Sequence, residues 1–124
     1  MFSLAKRKAI SMQQQDRVRV THLIHLMEDL KAADPHMPLT KALALLRIAA
    51  TPGIGITELA KASGTSVASA SRHIQSLGSA KTPGGAPLVV SGYGRDARTK
   101  AVLLTEEGRR LVNRVAESLE KLGA

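Results

Sequence analysis

Apolar residues recur at three- and four-residue intervals along much of the chain, and the breaks in that rhythm divide it into helices and one β-prone stretch. Val20, Leu23, Ile24, Met27 and Leu30 form the first run. It stops before Asp34-Pro-His-Met-Pro38, where each proline disfavours helix in the residue ahead of it, so the pattern predicts a helix over about 12–32. Leu39, Leu43, Leu46, Ala49 and Ala50 make a second stripe, with Thr40 as its expected cap and Thr51-Pro-Gly53 as its stop, giving a helix over about 40–50.

Two short helices follow. Thr57 is the expected N-cap of the first, Ser63-Gly-Thr65 the turn, and Ser66 the N-cap of a second helix running to Leu77. A pair of short helices joined by a glycine-containing turn is a helix-turn-helix signature. Gly78 to Pro87, rich in Gly and Pro, reads as a loop. Leu88-Val-Val90 and Lys100-Ala-Val-Leu-Leu104 are β-prone runs flanking Gly92 to Thr99, which predicts a hairpin with a basic tip. Thr105 then caps a last helix striped by Leu111, Val115, Leu119 and Leu122.

Charge sharpens this outline. The 124 residues hold 18 Lys and Arg against 10 Asp and Glu, a formal charge of +8, and a polyanionic partner is what such an excess favours. The excess is concentrated over 66–100, where Arg72, Lys81, Arg95, Arg98 and Lys100 are opposed only by Asp96; the last helix has balanced charges and reads as a solvated, ion-paired surface. Without cysteine there is no disulfide frame, thiolate metal site or thiol nucleophile. No apolar run is long enough to span a bilayer, and the reading is a soluble, cytoplasmic, nucleoid-associated protein with no membrane partner. It is expected to be one domain over 12–124 behind a basic arm at 1–11 containing Lys6, Arg7 and Lys8.

On a helical wheel of 66–77, Val67, Ala70, Ile74 and Leu77 share an apolar arc, while Arg72 lies opposite, flanked by Ala68, Ser69, Gln75 and Ser76. Small residues let a helix approach closely in a major groove, Arg72 can reach guanine O6 and N7, Gln75 can read adenine, and Ser66 or Ser69 can bond phosphate. The same pattern also describes an ordinary solvated helix face.

The segment Ile56-Thr-Glu-Leu-Ala-Lys-Ala-Ser-Gly-Thr-Ser-Val-Ala-Ser-Ala-Ser-Arg-His-Ile-Gln-Ser-Leu77, followed by Arg95-Asp-Ala-Arg-Thr-Lys-Ala-Val-Leu-Leu-Thr-Glu-Glu-Gly108, resembles the MarR family of winged helix-turn-helix regulators over about 38–115. The Leu-Thr-x-x-Gly run at 104–108 is the more diagnostic part. The resemblance implies a mostly α fold with a small β-hairpin, a DNA-reading core over about 38–105, and terminal helices at about 12–32 and 106–122 that form a dimerisation region. It implies that Ser66, Ser69, Ser71, Arg72 and His73 lie on the recognition helix and that Arg95, Asp96 and Arg98 belong to the wing. In that family the wing arginine enters the minor groove and the aspartate helps fix the wing. Arg98 is the first choice for that role and Arg95 the second, since a guanidinium on a thin hairpin suits a narrow groove of concentrated negative potential. The chain departs from the family in a longer Gly78–Pro87 loop and in the single helix after the wing.

For dimerisation the expected residues are Val20, Leu23 and Met27 with Leu111, Val115 and Leu119, whose stripes could also pack within one molecule. His22, His25 and His36 read as surface or interface histidines rather than metal ligands. The expected function is a non-enzymatic, sequence-specific regulator that binds double-stranded DNA without a cofactor, most simply as a dimeric repressor on a pseudo-palindromic operator. A phage or plasmid accessory factor for replication or partition, and a protein-interaction module on the same fold, are the alternatives.

Overall fold

In the computed structural model, which describes residues 11–79, 86–93 and 100–123, the elements follow the order α1 (Gln14–Ala33), α2 (Leu39–Ala50), β1 (Ile54–Gly55), α3 (Ile56–Ser63), α4 (Val67–Leu77), β2 (Val89–Tyr93), β3 (Lys100–Leu104) and α5 (Glu106–Gly123). Residues 1–10 of the basic arm, with Lys6, Arg7 and Lys8, and Lys81 lie outside the described residues. The strands form an antiparallel sheet in the order β1-β3-β2, with Ile54 opposite Val102, Val89 opposite Leu104 and Tyr93 opposite Lys100. The hairpin therefore has a third strand that the hydrophobic pattern does not announce, because two residues are too few to show an alternation. Strand β2 also runs on through Ser91, Gly92 and Tyr93, two of which the sequence pattern assigns to the tip.

Side chains from α2, α3, α4, β3 and α5 meet in one core, and Leu45, Ile48, Leu59, Leu77, Val102 and Leu111 are almost wholly withdrawn from solvent. Each burial of this kind contributes about 1.5–3 kcal/mol, so the core outweighs any single surface contact. Helix α1 packs along α5 and adds Leu26 and Leu30 to it. On α1, Leu30 points inward with Leu26 beside it, whereas Val20, Leu23, Ile24 and Met27 of the expected stripe are exposed. In α2 the inward positions are Ala42, Ala44, Leu45 and Ile48, whereas Leu39 and Leu43 of the expected stripe face solvent. Helix α2 is apolar almost all round, so its periodicity does not reveal which side is buried.

Two expected caps are not used. Helix α2 begins directly after Pro38, whose carbonyl accepts from Lys41 and Ala42 N–H, and α3 begins after Gly55, leaving Thr40 and Thr57 already helical. The other two caps form: Ser66 Oγ accepts from Ser69 N–H at 3.1 Å, and Thr105 Oγ1 accepts from Gly108 N–H at 3.1 Å. Between α3 and α4, Gly64 takes the left-handed conformation at φ 66°, and Thr65 N–H bonds Ala60 carbonyl at 3.0 Å, a Schellman closure that fixes the turn.

At the α1–α2 corner, Asp34 ends α1 in the extended conformation that Pro35 demands, and its carboxylate accepts from Lys41 Nζ and from His36 N–H at 3.0 Å. Both Asp34 and Lys41 are buried. Burial pushes the Asp34 carboxyl upward, but the Lys41 hydrogen bond, the His36 N–H and the charges of both residues outweigh it and hold the group below its ordinary value of 3.8.

A Cβ on Gly108 would lie 2.1 Å from the Leu88 carbonyl oxygen, so Gly108→Ala should cost about 2–3 kcal/mol of stability, read as a lower denaturant midpoint. Asp34→Asn should cost about 3–5 kcal/mol near neutral pH, because the buried Lys41 ammonium loses its counter-charge. A lowered carboxyl pKa means that the wild-type contribution is present above 3.8 and lost as pH falls through the folded-state value, so wild type and variant should converge in acid in a denaturation series.

Candidate nucleic-acid interface

Helix α4 is seated by Ala70, Ile74 and Leu77, all buried against α2 and α3. With those three inward, the 100° step of the helix turns Ala68, Arg72, Gln75 and Ser76 outward, and all four are exposed. The helix contains no acidic residue, and Ser66 caps its start while itself remaining exposed. The outward edge is therefore narrow, polar and singly cationic.

Arg72, Gln75 and Ser76 share an open groove of about 500 Å³ with Ser79 and with Asp34, His36 and Lys41 from the α1–α2 corner. Because Lys41 is tied to Asp34, that corner presents no unpaired carboxylate to the groove. Arg72 lies along its own helix, its Nε 3.4 Å from the Ala68 carbonyl, a contact too long to hold the guanidinium strongly.

Not every expected residue reaches this edge. Ser69 and Ser71 are half-buried on its flanks. His73 turns toward α2 and α3, lining a small cavity of about 20 Å³ with Thr40, Leu43, Ala44 and Ser63, whose buried Oγ has no hydrogen-bond partner among the described residues. His73 thus departs from the groove-reading position, and its place next to Ala70 on the wheel is the reason. Val67, expected in the apolar arc, is exposed at the first helical position.

The hairpin of β2 and β3 runs on from the core to Tyr93 and Lys100, which pair with each other. Arg95, Asp96 and Arg98 fall between them in sequence and lie outside the described residues.

The expected dimerisation residues divide into two sets. Val20, Leu23, Met27 and Leu119 are exposed, between 42% and 52%. Leu111 and Val115 are buried within the protomer at 1% and 4%, so for these two the expectation is corrected: they fill the molecule's own core and have no surface to offer a second copy. On the outer side of the α1–α5 pair, His22 and His25 share a polar groove with Glu28, Asp29, Arg114 and Glu117, but among the described residues no three His, Cys, Asp or Glu side chains converge as metal ligands would. Among the same residues no helix is long and apolar enough to cross a membrane.

Sequence reasoning missed two features of this region. One is the Asp34–Lys41 pair, whose only signal is an aspartate before proline and a lysine on the inward side of α2. The other is the set of hydrogen bonds that Thr105 makes beyond its cap, which no local pattern encodes.

No protein-family model matches the sequence, and no curated protein sequence does. Solved structures do match in shape. MepR of Staphylococcus aureus, determined in complex with DNA, superposes with a TM-score of 0.63 at 16% identity, over 87% of this chain and 81% of that one. RV1404 of Mycobacterium tuberculosis gives 0.62 at 18% identity, over 90% and 77%. A MarR-like transcriptional regulator of Thermotoga maritima gives 0.60 at 22% identity, over 90% and 79%. With five helices, a three-stranded antiparallel sheet and a helix-turn-helix among the described residues, the chain has the winged-helix fold of the MarR-family transcriptional regulators.

Proposed function

We propose that the chain is a sequence-specific regulator of transcription that binds double-stranded DNA as a homodimer, most simply as a repressor, and carries out no catalysis. The observation that carries this reading is the outward edge of α4: Ala68, Arg72, Gln75 and Ser76 exposed together on a helix without acids, seated by three buried residues. Ala and Ser keep the edge thin enough for a major groove, and Arg72 and Gln75 carry the donor and acceptor groups that base edges answer. A lipid-binding helix would instead present bulky apolar residues over its cationic face.

The overall charge of +8 supplies the long-range attraction to phosphates. The hairpin supports a wing, with Arg98 first and Arg95 second as the minor-groove contact and Asp96 as its brace. Ser66, Ser69 and Ser71 are the proposed backbone-phosphate contacts at the helix start and flank. That MepR, similar in fold, is solved in complex with DNA supports the DNA-binding reading.

The apolar residues left exposed on α1 support the dimer. Val20, Leu23, Ile24 and Met27 form a row that continues into a groove of about 410 Å³ bordered by Leu39 and Leu43, a contiguous patch of the kind that marks an interaction surface. Two copies joined there would place two recognition helices in successive major grooves, about 34 Å apart, and would require a pseudo-palindromic site.

Selection of duplexes from a random pool should yield such a site. On it, Arg72→Ala should cost about 1–3 kcal/mol and relax specificity at one base pair per half-site, whereas Arg98→Ala should weaken all duplexes alike. Affinity should fall with salt at a slope of about −0.9 per neutralised phosphate. Leu23→Glu should leave the fold intact, because Leu23 is 45% exposed, and give a monomer in sedimentation; a dimer at wild-type strength would place the interface elsewhere.

A further inference from the structure

The connection between recognition helix and wing spans Gly78 to Pro87, with three glycines and two prolines. A link of that length and composition does not by itself set where β2 begins relative to α4. Something other than chain connectivity must do so.

The hydrogen bonds around Leu88 answer the need. Leu88 N–H donates to the carbonyl of Leu77, the last residue of α4, at 2.8 Å. The Leu88 carbonyl accepts from Thr105 N–H at 3.0 Å. The Thr105 hydroxyl has one proton, which it gives to the Pro87 carbonyl at 2.6 Å, and with its lone pair it accepts from Gly108 N–H at 3.1 Å. Leu77 and Leu88 are buried, and Thr105 is half-buried, so water replaces these bonds poorly. Gly108 approaches the Leu88 carbonyl so closely that no side chain fits between them.

Capping α5 needs only the bond from Gly108. The bond to Pro87 goes beyond capping, because it ties the first turn of α5 to the residue before Leu88, and Leu88 is tied in turn to the end of α4. We propose that Thr105 is a positioning residue for duplex binding, locking the recognition helix, the root of the wing and the terminal helix into one unit. The role rests on the DNA-binding reading above, while the mechanical coupling can be measured without DNA. Since α5 continues along α1, whose outer face carries the exposed apolar row, the same unit joins the proposed dimer face to both proposed DNA-reading elements.

The test compares wild type, Thr105→Val and Thr105→Ser by amide hydrogen exchange and by binding to a selected duplex, at a temperature where each is fully folded. In wild type, the Leu88, Thr105 and Gly108 amides should exchange at one common rate, since each is released only when the unit opens. In Thr105→Val the Leu88 amide should exchange about tenfold faster, with chemical-shift changes reaching Leu77 and Val89, and duplex affinity should fall about tenfold per folded molecule; Thr105→Ser should stay within about threefold of wild type. Unrelated exchange rates in wild type, changes confined to Glu106–Gly108 in the valine variant, or wild-type affinity of that variant would each overturn the proposal. If wild type bound no duplex, the DNA-binding reading and the role resting on it would both fall, while the exchange data would still decide whether α4, β2 and α5 move as one.

Discussion

The seating of α4 through Ala70, Ile74 and Leu77 is the constraint on which the remaining surface depends. A half-turn of this helix would expose Ile74 and Leu77, losing about 1.5–3 kcal/mol for each, and would bury Arg72 and Gln75 without partners at a comparable or greater cost per group. No surface contact among the described residues approaches that difference. The direction in which Arg72 points is therefore settled by its apolar neighbours rather than by anything Arg72 itself bonds.

Polar groups at the edges of this core serve to hold elements at set distances. Asp34 and Lys41 join the end of α1 to the first turn of α2 on one side of the groove that Arg72 also lines, and they are costly to bury unless paired. The exposed pairs on α5, Arg109 with Glu106 and Arg110 with Glu107, are of another kind: the Arg109 hydrogen bond holds the Glu106 carboxyl below its ordinary value, yet solvent and salt screen both pairs. The division between buried and exposed ion pairs follows that between joints and surface.

Helix α1 has two apolar sides of unequal standing. Leu26 and Leu30 complete the protomer's core, while Val20, Leu23, Ile24 and Met27 lie on the outside without a covering element among the described residues. The terminal helices thus fill the protomer's core through Leu26, Leu30, Leu111 and Val115 and leave a separate row of apolar side chains exposed.

Much of this molecule follows from local pattern. The number and order of the helices, the Gly64 turn, the caps at Ser66 and Thr105, the outward position of Arg72 and Gln75 and the existence of a hairpin are all encoded within a few neighbouring residues, because turns, caps and wheel geometry depend only on near neighbours. What local pattern leaves open is which side of a helix finds a partner. Helix α2 is apolar almost all round, α1 carries most of its stripe on the outside, and His73, one position along from Arg72, turns toward α2 and α3 rather than to the outward edge. The two-residue strand β1, the Asp34–Lys41 pair and the bonds of Thr105 to Pro87 and Leu88 join residues far apart in the chain or too few to make a rhythm. Burial is a property of the assembled molecule, so these features belong to tertiary structure: a side chain's own identity sets what it can bond, and only packing decides what stands opposite it.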